Sequence, residues 1–174
     1  MKLTLKIKLL PTDEQANLLL ETMKEANTVC NAISDVAWER HIFNNFKLHH
    51  ETYHAFKASF KLSSQVLVRC VAKVADAYKL DKKVKRVFRP LGSIGYDSRI
   101  MTYKPNNIVS LWAIGGRIKI PFVCHNPNYL PHKAKYKNHF LPHITTQTTV
   151  NQSQKQNKPA RQRPELDLVL VRKV

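Results

Sequence analysis

Glycine is scarce, with 4 residues in 174. Gly92 and Gly95 in "LGSIG" are too few and too unevenly spaced for either common phosphate-binding loop, so they mark a turn that brings the chain into a sheet. Three cysteines, Cys30, Cys70 and Cys124, form no even set and no CxxC pair. They therefore outline neither a disulfide framework nor a zinc site, and read as buried free thiols in a reducing compartment. No stretch reaches 18 uninterrupted apolar residues, which leaves no candidate transmembrane helix. The opening "MKLTLKIKLL" alternates where a signal peptide needs a continuous apolar run, so a cytoplasmic protein is expected. Acid is the other shortage: 12 Asp+Glu stand against 29 Lys+Arg, a net charge of +17. The excess is regional. Residues 1–61 hold 8 Lys+Arg against 7 Asp+Glu, residues 62–130 hold 12 against 3, and residues 131–174 hold 9 against 2. A bias concentrated in this way points to a surface that faces a polyanion.

In the first segment Lys2, Thr4, Lys6 and Lys8 alternate with Leu3, Leu5, Ile7 and Leu9, the period of a half-buried strand with a cationic outer face. In "PTDEQ", Thr12 and Gln15 have capping-box spacing, and Asp13 and Glu14 suit the positive end of a helix dipole. Ala16, Leu19, Leu20, Met23, Ala26, Cys30, Ile33 and Ala37 follow at spacings of three and four, predicting one long amphipathic helix to about Arg40. A second helical region is expected from near His49 to Phe60. A third follows Ser63 or Ser64, with the stripe Leu67, Val71, Val74, Ala75 and Tyr78. A basic ramp, "KLDKKVKRVFRP", leads into a β-meander. Its strands are expected at Arg99–Tyr103, Ile108–Ile114 and Arg117–Ile120, with turns at "KPNN" and at Gly115-Gly116, and with Pro121 at a sheet edge. From about Asn126 to Pro164 the composition is polar and aperiodic, which predicts a loosely held linker. "ELDLVLVRKV" reads as a last strand, and the N-terminal strand and the meander, which flank the helical insertion, are expected to share one sheet.

Catalytic chemistry finds little support. His50 and His54 stand at i, i+4 without a third ligand, and read as surface histidines. Asp167 lies on a strand pattern with only Glu165 near it, whereas two-metal cleavage needs several converging carboxylates. No Ser, Cys and His set has the context of a triad. No catalytic residue, metal ligand or cofactor is therefore expected. What remains is basic and aromatic. Lys82, Lys83, Lys85, Arg86 and Arg89 form the ramp, and Arg99, Arg117 and Lys119 line the strands among the rings of Tyr96, Tyr103 and Trp112. Cations for phosphates beside rings able to stack on bases suit nucleic acid, although core packing is the commoner use of such rings.

Three stretches, in order, resemble the TnpB or OrfB transposase family of bacterial insertion sequences: "LKIKLLPTDEQANLLLETMKEANTVCNAISDVAWE", "LSSQVLVRCVAKVADAYK" and "FRPLGSIGYDSRIMTYKP…VSLWAIGGRIKIPFVC". The likeness covers about 1–125 and, more weakly, 165–171. Members are RNA-guided DNA nucleases related to type V CRISPR effectors. The resemblance implies an α+β fold in which an N-terminal strand (1–10) and a meander with its ramp (81–125) build a small wedge-type β-barrel. A helical recognition lobe (11–80) is inserted, and a polar linker (126–164) leads to a final strand (165–174). It also implies partners: a guide RNA, and transposon-end or target DNA. The family's RuvC-like domain would begin shortly after Val174, so the expectation is a front part that binds without cutting, at home near the nucleoid. Two rivals stand beside it. One is a split nuclease completed by a second chain carrying the RuvC-like domain. The other is a basic peripheral protein on anionic lipid, which calls for a basic amphipathic helix with exposed aromatics; the cations here precede a sheet instead.

Overall fold

The computed structural model describes residues 2–124, 140–147 and 165–173. They form an α+β fold: β1 (Lys2–Leu9), α1 (Asp13–Glu39), α2 (Asn45–Ser59), α3 (Ser64–Leu80), β2 (Ile94–Gly95), β3 (Met101–Lys104), β4 (Ile108–Ala113), β5 (Gly116–Val123), β6 (Phe140–Gln147) and β7 (Glu165–Lys173). Among the described residues no helix is long and apolar enough to cross a membrane.

The capping box opens α1 as its sequence predicts. Thr12 Oγ1 accepts from Gln15 N at 3.3 Å, and Gln15 Oε1 accepts from Thr12 N at 3.2 Å. Leu19, Met23, Ala26, Cys30, Ile33 and Ala37 are buried. Ser63 caps α3, and Val66, Leu67, Cys70, Val71, Val74, Ala75 and Tyr78 line its buried face. These helices pack with the sheet's inner side chains into one core that includes Ile7, Leu9, Val109, Leu111, Ile120 and Phe122. Cys30, Cys70 and Cys124 are free thiols, the first two buried. The hydrogen bond between Cys70 and Cys30, together with burial, raises the Cys70 thiol above its usual range.

The seven strands pair in the order β2-β6-β7-β1-β5-β4-β3, antiparallel at every described pair. The first strand and the meander do share this sheet, with Lys8 and Leu9 of β1 opposite Val123 and Phe122 of β5; on its other side β1 pairs with β7, Lys2 to Lys8 opposite Lys173 to Asp167. The order is open, and β2 and β3 are its two ends. These ends are nevertheless close in sequence. A flat sheet of this width would hold its outer strands about 29 Å apart. The chain from Gly95 to Met101 reaches about 21 Å at full stretch, and it is shortened further because Asp97 O accepts from Ile100 N and Met101 N. The sheet is therefore strongly curled. Tyr96, buried in the link, donates its hydroxyl to Trp112 O on β4 at 2.8 Å and ties the two ends together.

Several expectations change. The second helix starts at Asn45, because Asn44 Oδ1 accepts from Phe46 N and Lys47 N and caps it there. The strand expected from Arg99 begins at Met101, since Asp97 Oδ1 accepts from Arg99 N and closes a turn. Pro121 is not at an edge: β5 lies between β1 and β4. It is tolerated because its carbonyl accepts from Leu10 N just past the end of β1, while Asn107 O takes the next amide, Phe122 N. Residues 140–147, expected inside an aperiodic linker, form β6 between β2 and β7, with Ile144 buried. The rest of the expected linker, 126–139 and 148–164, lies outside the described residues. Both predicted turns stand. Asn106 and Asn107 take φ 61 and 52, and Gly115 and Gly116 take φ 91 and 134.

Candidate nucleic-acid interface

The sheet's curl gives the meander an inner and an outer face. Along β5 the exposed positions are Arg117, Lys119, Pro121 and Val123, and the inward ones include Ile120 and Phe122. Cross-strand register extends the outer face onto β4: Arg117 stands opposite Trp112, Lys119 opposite Ser110 and Pro121 opposite Ile108. The next step reaches β3, where Thr102 is opposite Ser110 and Lys104 opposite Ile108. Trp112 is half-buried, with part of its ring against the core. It thus keeps the packing role expected of it and still shares a face with three cations. Tyr103 belongs to the inner side, with its ring edge-on to Phe122 at 5.9 Å between centroids. Its hydroxyl has no hydrogen-bond partner among the described residues, and burial raises its pKa.

Arg99 sits on the turn before β3 and is exposed. Its Nη1 donates to Gln65 Oε1 at 3.0 Å, and its carbonyl accepts from Arg117 Nη2. Gln65 Nε2 in turn donates to Asp97 Oδ2. This chain of contacts links the first turn of α3 to the hairpin, gives the Asp97 carboxylate a hydrogen-bond donor, and ties the Arg117 side chain to the Arg99 main chain. Lys119 and Lys104 are exposed, and neither side chain has a partner among the described residues.

The ramp divides. Residues 82–93 form a strap laid along α1 and α3, and side chains of both helices pin its main chain. Arg86 N donates to Tyr78 Oη at 3.2 Å, and Arg86 O accepts from Ser34 Oγ at 2.6 Å. Phe88 N donates to Asn31 Oδ1 at 2.7 Å, and Phe88 O accepts from Asn31 Nδ2 at 3.0 Å. Pro90 O and Gly92 O accept from Asn27 Nδ2 at 3.1 and 2.8 Å. Lys73 Nζ completes the row, donating to Asn27 Oδ1 at 2.6 Å and Ser93 O at 2.8 Å and lying 4.9 Å from the Phe88 ring centre. Polar side chains on a buried helix face are costly without partners; here the strap supplies them. Gly92 is needed for this fit, since a Cβ there would meet Arg89 O at 3.0 Å and Asn27 Oδ1 at 3.2 Å.

Of the five predicted ramp cations, Lys82, Lys83 and Arg89 are exposed, with no side-chain partner among the described residues. Lys85 pairs with Asp35 at 2.8 Å, and that carboxylate raises its pKa. Arg86 is half-buried and fixed to Asp81, at 3.2 Å to the carboxylate and 3.0 Å to the carbonyl. It holds the strap in place and is poorly disposed to meet a ligand. The strap and the meander thus contribute two separate groups of available cations. Asn27, Asn31 and Ser34, which hold the first group in position, were missed by the hydrophobic pattern; their spacing of four and three on one helix is the signal that could have found them.

His50 and His54 are exposed on α2, and His49 stacks on Tyr53 at 4.8 Å. Among the described residues no three His, Cys, Asp or Glu side chains gather where a metal ion could be held. The chain matches no family model and no curated protein.

Proposed function

We propose that this chain is a nucleic-acid-binding module of the TnpB type, in which the curled sheet serves as the wedge-type barrel and the helices as the recognition lobe. One observation carries the reading. Arg117, Lys119 and Lys104 share the meander's outer face with Trp112, and Arg99 is locked beside Arg117. Cations at that density suit phosphates, and a partly exposed indole among them suits a base. The strap's Lys82, Lys83 and Arg89 extend the positive surface. The ligands are RNA and DNA, with the guide RNA and the transposon-end or target DNA as the pair that the resemblance implies, and the setting is the nucleoid. The role is binding. Asp97, the acid nearest this face in sequence, is engaged by Gln65 and by the Arg99 amide.

Ultraviolet cross-linking of the purified chain to a uridine-rich RNA, followed by peptide mapping, tests the assignment. Cross-links are expected within 99–119, Trp112 included. Cross-links confined to α2, or none at all at low salt, would overturn it.

A further inference from the structure

Phosphate contact explains the strap's cations and leaves its apolar side chains unexplained. Seven large hydrophobics are exposed among the described residues. Four of them fall between positions 80 and 91: Leu80 at 88%, Val84 at 58%, Val87 at 79% and Leu91 at 38%. A cluster of exposed large apolar side chains is the usual mark of a contact surface.

The main chain carries the second observation. Arg86 and Phe88 both turn their N–H and C=O groups toward the helices, Arg86 to Tyr78 of α3 and Ser34 of α1 and Phe88 to Asn31 of α1. That every-second-residue pattern belongs to an extended chain, in which the intervening residues point the other way. The N–H and C=O of Val87, the C=O of Lys85 and the N–H of Arg89 therefore face away from α1. None of them has a hydrogen-bond partner among the described residues. The strap is half of a strand pair: one edge is satisfied by side chains of α1 and α3, and the other edge is open among the described residues. Lys85, Val87 and Arg89, two residues apart on an extended chain, share one face of the strap and present a cation, an apolar group and a cation, all exposed.

We propose that this open edge binds an extended segment of a protein partner by strand addition. Residues opposite Lys85, Val87 and Arg89 alternate along the added strand, so the segment has the pattern acid–x–valine or isoleucine–x–acid. Opposite charges and β-branched pairs across neighbouring strands stabilise such pairing. The Lys85–Asp35 pair is solvent-exposed, with side chains 45% and 51% accessible, so an incoming carboxylate can share that ammonium. The proposal is independent of nucleic-acid binding at the meander.

The test uses the full chain and a fluorescein-labelled peptide with Glu-Thr-Val-Thr-Glu at its centre, read by anisotropy. Two control peptides accompany it: a scrambled one, and one N-methylated at the residues that would pair with Val87. Binding of the patterned peptide is expected to exceed that of either control by about three- to tenfold, the worth of one or two hydrogen bonds. V87P removes one outward N–H without touching the α1 bonds, and should weaken binding similarly. Because N-methylation alters only the peptide, its result stands even if V87P misfolds. Equal binding of patterned, scrambled and N-methylated peptides would overturn the proposal and leave a surface that responds to charge alone. So would displacement of the peptide by RNA with V87P binding it as the unsubstituted chain does, since the strap would then be a phosphate contact only.

Discussion

Replacing Asn27 by leucine keeps the side chain's approximate volume and removes all its hydrogen bonds. Asn27 is buried, and its amide donates to Met23 O, Pro90 O and Gly92 O while its oxygen accepts from Lys73 Nζ. Met23 O is a helix carbonyl with its usual intrahelical donor nearby, so the loss falls on three groups: two strap carbonyls and one ammonium. A buried group left unsatisfied costs about 1–3 kcal/mol. Lys73 retains Ser93 O and the Phe88 ring, which places its share at the low end. The expected destabilisation is about 3 kcal/mol, near the top of the range for point substitutions. For a chain of this length, each kcal/mol lowers Tm by about 2–4 °C, so the melting point should fall by roughly 6–12 °C. N27D keeps the acceptor for Lys73 but sets an oxygen against the carbonyls of Met23, Pro90 and Gly92, and should cost at least as much as N27L. Thermal and urea unfolding followed by circular dichroism give the numbers. Amide exchange should quicken at Gly92 and Phe88 in both variants, because the strap loosens before the core does. A loss under about 0.5 kcal/mol in N27L, with unchanged exchange along the strap, would refute the claim that buried amides on α1 hold it.

Two other outcomes follow from single groups. Thr22 Oγ1 donates to Leu18 O at 2.6 Å and accepts from Ile114 N at 2.9 Å, joining α1 to the end of β4; T22V should cost about 1–2 kcal/mol, and an unchanged urea midpoint would contradict that link. Burial raises the phenol pKa values of Tyr96 and Tyr103 above 10.0, so the folded state keeps these protons while the unfolded state gives them up. Stability should therefore be unaffected by these groups below pH 10 and fall as the pH rises beyond it. Y103F should lessen the fall, and a stability that is flat or rising from pH 10 to 11 would count against both assignments.

The local parts of this fold were written plainly in the chain. A Thr and a Gln three residues apart, an asparagine pair after a proline, and two adjacent glycines each act through neighbouring backbone, and each appears where its chemistry puts it. The outward row on β5 was equally readable, because alternation alone decides which way Arg117 and Lys119 point. The strap was not readable. Asn27, Asn31 and Ser34 look like solvated helix positions until a segment some sixty residues later arrives to occupy them. Arg86 counts as a cation in the sequence and as a brace in the fold. β6 escaped because Pro142 and His143 interrupt its apolar pattern; pairing with β7 along its whole length, and with β2 at Ile144 and His143, makes it a strand.

The central claim is that the meander's outer face holds nucleic acid. Its most direct test is the salt dependence of RNA binding by the unsubstituted chain and by a variant carrying R99Q, R117Q and K119Q. Each phosphate contact contributes about 0.7–0.9 to the slope of log K against log salt. Loss of three should flatten the slope by roughly 2 to 3, with the fold intact by circular dichroism. An equal slope in the two proteins, both folded, would remove the meander from the interface and contradict the account.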